Sequence, residues 1–205
     1  MSRAPSTDWT SCFTKTPPAL CLKRSAKMSD SLSALTTSSV FTIRSSISIN
    51  APKRKVWDVL LDFPSYKEWN PYIRSQEIIS EHDKTPLLSQ AAAPGRRLRL
   101  RLHVPPTMND AGTNASTAEE ILTYVDATTF RLAWRFATPA RWLINAERWQ
   151  ILRDCESDGQ RTVYETWEFF GGLLAYLIWF FMRVKLQSSF DAMSHALKDK
   201  VENVD

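Results

Sequence analysis

The sequence predicts an α+β domain in which antiparallel strands precede a single long C-terminal helix, and three observations carry that prediction. Residues 51–71 hold two short helical segments, interrupted at Pro64 and closed at Asn70-Pro71, because the residue before a proline is pushed out of the α region. Residues 97–104 alternate strictly between apolar and polar side chains, the period of a half-buried strand. From Ala175 to Val204 apolar residues recur at spacings of three and four, the period of a helix with one buried face. With 205 residues and 43% apolar content, the chain can build one sizeable core.

Residues 1–39 are rich in Ser, Thr, Ala and Pro without periodicity and read as a disordered leader ahead of a domain at 40–205. The leader lacks the apolar run of a signal peptide. Its basic, Ser-rich balance would suit mitochondrial import, and Met28 offers an alternative start. Most of the net charge of +4 resides there; the rest of the chain carries 21 basic against 20 acidic residues, so nothing calls for nucleic acid as a partner. Cys12 and Cys21 lie in the leader and Cys155 stands alone. That is no disulfide framework, and a reducing, cytoplasmic setting is the default expectation.

The domain opens with a strand over 40–49, its apolar members Phe41, Ile43, Ile47 and Ile49 at even spacing. Pro52 then fits the first turn of a helix carrying Val56, Val59, Leu60 and Phe63, and a one-turn helix follows with Tyr66 and Trp69 on one side. Ile49-Asn-Ala-Pro52, Val56-Trp57, Leu60, Asp62-Phe63, Tyr66 and Trp69-Asn-Pro71 resemble the motif "I-x-A-P…V-W…L-x-D-F…Y…W-N-P" of the START-like SRPBCC superfamily. The resemblance runs over about residues 40–203. It implies a helix-grip fold: a curved antiparallel sheet of about seven strands around the C-terminal helix, enclosing a hydrophobic cavity.

Further strands are expected at 72–80, 97–104, 118–125, 129–136, 143–153 and 162–170, with turns at Asn109–Gly112 and Glu156–Gly159. In 97–104 the leucines face inward. Arg97, Arg99, Arg101 and His103 form the opposite face, either an acidic-partner site or a solvated face paired with Glu119 or Glu120. Phe130, Leu132, Trp134 and Phe136 share one face, with Leu132 and Trp134 matching the superfamily's "L-x-W". On 143–153, Trp149, Ile151 and Glu147 are taken as the inner set. Ala146-Glu147-Arg148-Trp149 departs from the superfamily's "E-H-x-F", so no histidine role carries over. Glu168, Phe170 and Gly172 match "E-x-F-x-G". On that strand either Tyr164, Thr166, Glu168 and Phe170 or Val163, Glu165, Trp167 and Phe169 face inward.

The long helix spans about 173–203, its inner stripe expected at Ala175, Trp179, Met182, Leu186, Phe190, Met193, Leu197, Val201 and Val204. Phe169–Met182 contains no charge, and its fourteen residues span roughly 21 Å, short of the ~30 Å core of a bilayer. Its surplus apolar side (Leu174, Leu177, Ile178, Phe181) needs a cavity, a lid, a dimer contact or a membrane surface, and Arg183 and Lys185 beyond it would suit peripheral membrane contact.

Scattered histidines (His82, His103, His195) argue against a metal, and no nucleotide-binding or serine-hydrolase motif is present, so no cofactor is expected. What remains is a cavity that the resemblance implies. Its expected lining is Trp57, Trp69, Leu100, Leu102, Tyr124, Phe130, Leu132, Trp134, Phe136, Trp149, Phe170, Leu174, Ile178 and Met182. The first expectation is binding of a hydrophobic small molecule: polyketide, terpenoid, quinone or lipid. The alternative is a polyketide cyclase/dehydratase-type enzyme of secondary metabolism. A buried Glu147 or Glu168 would serve as base there, and a tyrosine, Tyr164 or Tyr124, would donate a hydrogen bond.

Overall fold

The computed structural model describes residues 39–111, 115–155 and 160–203. The expected leader up to residue 38, with Cys12, Cys21 and Met28, lies outside them, as do Gly112, the turn at Glu156–Gly159 and Val204. In chain order the elements are β1 (Phe41–Ile49), α1 (Lys53–Leu61), a 3-10 turn (Phe63–Ser65), α2 (Tyr66–Trp69), β2 (Ile73–Ile79), β3 (Arg97–His103), β4 (Ala115–Asp126), β5 (Arg131–Phe136), β6 (Asn145–Asp154), β7 (Thr162–Gly171) and α3 (Leu174–Glu202). The seven strands form one antiparallel sheet in the order β1-β7-β6-β5-β4-β3-β2, the helix-grip arrangement. β1 and β2, adjacent in sequence, occupy opposite edges, so α1 and α2 carry the chain from one edge to the other.

The Asp62–Pro71 stretch is a joint built from side-chain hydrogen bonds. Tyr66 donates its hydroxyl to Leu60 O at 2.7 Å, folding the second helix back on the first. Asn70 Oδ1 accepts from the amides of Tyr72 (3.0 Å) and Ile73 (2.9 Å), starting β2 at a fixed point. Buried Arg74 donates to Asn70 O and grips Asp110 with two nitrogens (3.2 and 3.1 Å), tying this joint to the loop after β3. His103 is buried under that loop, with Nδ1 3.0 Å from Thr107 O, instead of standing on the solvated face with the arginines. Arg97 pairs with Glu81 (3.0 Å) and Glu119 (3.3 Å), so the arginine row is a solvated outer face; Glu120 points the other way.

Two strands correct the expected frames. On β6 the inner side chains are Ala146, Arg148, Gln150 and Leu152. They stand in register with Phe170, Glu168, Thr166 and Tyr164 of β7, which settles β7 on its Tyr164–Phe170 frame. Glu147, Trp149 and Ile151 belong to the outer face, where Trp149 Nε1 donates to Glu147 at 3.0 Å. Judging the strand by its largest aromatic fails because both faces are covered: the outer Trp149 ring packs on Tyr124 at 5.6 Å. Tyr124 owes its outward position to a bulge in β4 between Leu122 and Tyr124, which passes the inner side from Leu122 to Val125.

On α3, Ala175, Leu186, Phe190, Met193, Leu197 and Val201 are buried against the sheet. Trp179, expected in this stripe, is exposed beneath Arg183, whose guanidinium lies 5.6 Å from its ring centroid. Ile178 and Met182 take the inward side there because 3.6 residues per turn carries the stripe through them.

Candidate functional site

Beneath the first half of α3 the sheet and helix separate and leave a cavity of about 260 Å³. That is just below the roughly 300–1,000 Å³ of clefts enclosing drug-sized ligands. Tyr72, Leu102, Val104, Ser116, Ala118, Glu120, Phe136, Ile144, Ala146, Glu168, Phe170, Ile178, Met182 and Leu186 line it. Two pairing facts explain why it opens here. Ala146 pairs with Phe170 on β7 and lies next to the last β5–β6 pair, Arg135–Glu147, beyond which Phe136 follows, so the small residue between the two rings leaves a trough. Ala118 and Ser116, facing Leu100 and Leu102 on β3, are small as well.

Two carboxylates enter this apolar space. Glu120 and Glu168 are both buried. Among the described residues neither accepts a hydrogen bond nor forms an ion pair. Burial pushes the Glu168 carboxyl up to about 7, with Arg148 pulling the other way. Burial and then the Glu168 charge hold Glu120 well above the carboxylate range. Burial likewise raises Tyr72, whose ring is a third wall of the site. A carboxyl without a protein partner, in a medium that penalises its charge, favours the neutral acid.

Arg148 supplies the balancing charge from behind the lining. Its Nε donates to Thr166 Oγ1 at 3.1 Å and its guanidinium stacks 4.0 Å from the Phe190 ring centroid, with Tyr72 at 5.5 Å and Trp134 at 5.7 Å. Burial opposes that charge, but Tyr164, Tyr72, Glu168 and Glu120 around it raise its pKa. Deeper in the same face, Gln150 is buried with both ends of its amide unpaired, and the buried Tyr164 hydroxyl lies beside Arg148 and Thr166 without a well-formed hydrogen bond.

The expected site residues therefore divide. Leu102, Phe136, Glu168, Phe170, Ile178 and Met182 meet at the cavity. Trp57, Trp69, Leu100, Leu132 and Trp134 are buried in the packed core away from its lining; Trp57 meets Phe130 edge-to-face at 5.8 Å. Tyr164 is sealed in that core too. Glu147, Trp149 and Tyr124 are on the outer face, Tyr124 donating to Asp126 at 3.2 Å, and Leu174 is exposed at the start of α3. Glu120, expected as a partner of the outer arginine row, lines the cavity instead, and Tyr72 and Arg148 carry no signal in the sequence that assigns them to the site. Only the pairing of Glu120 with the inward-facing Leu98 of β3 reveals it. Among the described residues no group of three His, Cys, Asp or Glu side chains is placed to hold a metal ion.

The family model described as "Polyketide cyclase / dehydrase and lipid transport" matches residues 40–202. The "Oxopyrrolidines biosynthesis cluster protein O" of Penicillium oxalicum is 30% identical over 158 residues, 69% of this chain and 76% of that protein. The Zhui aromatase/cyclase from Streptomyces sp. R1128 shares the fold with a TM-score of 0.58 at 18% identity, over 79% of this chain and 93% of its own. A START superfamily protein from Mycobacterium smegmatis does so with a TM-score of 0.54 at 13% identity, over 78% and 97%.

Proposed function

Because this chain belongs to the polyketide cyclase/dehydrase and lipid transport family, we propose that it takes a hydrophobic small molecule, of the polyketide, terpenoid, quinone or lipid kind, into the cavity under α3. One observation carries the reading: an apolar hollow with two buried carboxyl groups that no described residue satisfies. Apolar burial supplies the affinity, and the two carboxyls select a ligand with polar groups at matching positions. The cluster-encoded relative in Penicillium oxalicum supports a place in secondary metabolism. A panel of such compounds, tested by native mass spectrometry, should yield a retained ligand. Ala118→Phe, which puts a ring into the cavity from β4, should abolish retention while the melting temperature holds. Equal retention by the variant would move the binding site elsewhere.

A cyclase or dehydratase reading is favoured by the Glu168 carboxyl, pushed up to about 7, the range in which a group can both take and return a proton. Glu168 as carboxylate would remove the proton between two carbonyls, and Glu120 as neutral acid would protonate the carbonyl oxygen that accepts the charge. Glu168→Gln should then remove turnover of a retained poly-β-carbonyl compound without removing its binding. Turnover that survives both Glu168→Gln and Glu120→Gln would eliminate these roles.

A further inference from the structure

The outer side of the first half of α3 is apolar and uncovered. Tyr176, Leu177, Phe180, Phe181 and Val184 are 61%, 55%, 72%, 66% and 74% exposed. Trp142, 69% exposed, joins them, because its turn is bonded to the start of the helix: Leu173 N donates to Trp142 O at 3.2 Å and Leu174 N to Leu143 O at 2.8 Å. A contiguous patch of this kind on a folded chain marks a contact surface. Its own charges are predominantly positive, with Glu147 beside Arg141 and Asp191 near Arg183 at its margin. From Phe169 to Phe190 the sequence has no Asp or Glu, whereas Arg183 and Lys185 lie on the helix and Arg141 adjoins Trp142.

We propose that this face docks on an anionic lipid bilayer, with the aromatic side chains in the interface and Arg141, Arg183 and Lys185 on the headgroups. The charge pattern selects this occupant over a second copy of the chain. A two-fold contact brings the same patch together with itself, setting three cations against three, and the nearest carboxylates, Glu147 beside Arg141 and Asp191 in the groove with Arg183, are too few to neutralise six. An anionic headgroup layer neutralises all three, and Trp and Tyr beside Phe and Leu suit the boundary between headgroups and acyl chains. Among the described residues no helix is long and apolar enough to cross a membrane, so the helix lies on the bilayer. The opposite side of the same segment, through Ile178 and Met182, walls the cavity.

The test is co-sedimentation of the full chain with phosphatidylcholine vesicles, with and without 30 mol% phosphatidylserine (about one lipid in three, enough for a negative surface). Tryptophan emission reports burial of Trp142 and Trp179. The wild type should pellet with the anionic vesicles and shift its emission to the blue, and added salt should release it. Arg183→Gln/Lys185→Gln should weaken partitioning about thirtyfold. Phe180→Ser/Phe181→Ser should remove it while circular dichroism shows the fold intact. Wild type remaining in the supernatant, or both double variants pelleting like wild type, overturns the proposal. A dimer in light scattering without vesicle affinity overturns it in favour of self-association. Ligand retention in the cavity is read separately, so a chain that binds compounds but not vesicles sinks this inference alone.

Discussion

Glu168 sets a pH signature for stability. An unfolded glutamate releases its proton near the ordinary 4.5, whereas the folded chain holds the Glu168 proton to about 7. Between those values the native state binds more protons than the unfolded one, so stability falls as pH rises, by on the order of a few kcal/mol once both are ionised. Glu120 acts in the same direction. Glu168→Gln removes the charge without removing the volume. Its melting temperature should therefore exceed that of wild type at pH 8, with the difference shrinking towards zero below about pH 4.5. A difference that stays flat from pH 4 to 8 would mean Glu168 is not held in a charge-averse site. At this scale the sequence was half legible. Glu168 stood in a recognisable "E-x-F-x-G" pattern, but Glu120 follows Glu119 in a strand whose polar residues look alike until pairing shows which of them faces in. Arg148 hides beside Trp149 because an arginine stacked on Phe190 and Tyr72 occupies a position that patterning reserves for an apolar residue.

Elements were read more reliably than their faces. All seven strands and the long helix lie close to where periodicity places them, since burial of one side enforces period 2 or 3.6 over many residues. The errors came where a local device changes the frame: the β4 bulge that turns Tyr124 outward, and the doubly covered β6. Such devices depend on the neighbouring strand, which one strand's own sequence does not contain. The β7–α3 junction is another. Gly172 has φ +84°, and a Cβ there would stand 2.7 Å from Leu143 O. Neither the conformation nor the space admits a side chain. Gly172→Ala should cost about 1–3 kcal/mol, seen as a melting temperature several degrees lower. An unchanged melt would show that the junction relaxes freely.

Across the whole molecule, packing is uneven along the grip. One end is solid, filled by Trp57, Phe63, Tyr66 and the C-terminal half of α3, while the other holds the trough of Phe136, Ala146 and Phe170. The general expectation of a helix lying over a hollow sheet thus holds, but the hollow is smaller and more acidic than the aromatic count suggests, because most of the large rings are structural fillers. The long helix inherits this unevenness: past Leu186 its inner positions are fully enclosed, whereas before it only Ala175 is. Amide hydrogen exchange should reveal the consequence as a protection gradient, slowest around Phe190–Val201 and faster by orders of magnitude around Tyr176–Met182. Uniform protection along the rod would contradict it. With its tail embedded and its leading turns held chiefly by Ala175 and by the backbone bonds of Leu173 and Leu174 to residues 142 and 143, the rod can fray without the sheet unzipping. The guest proposed for the hollow would need only that cheap, local opening to come and go.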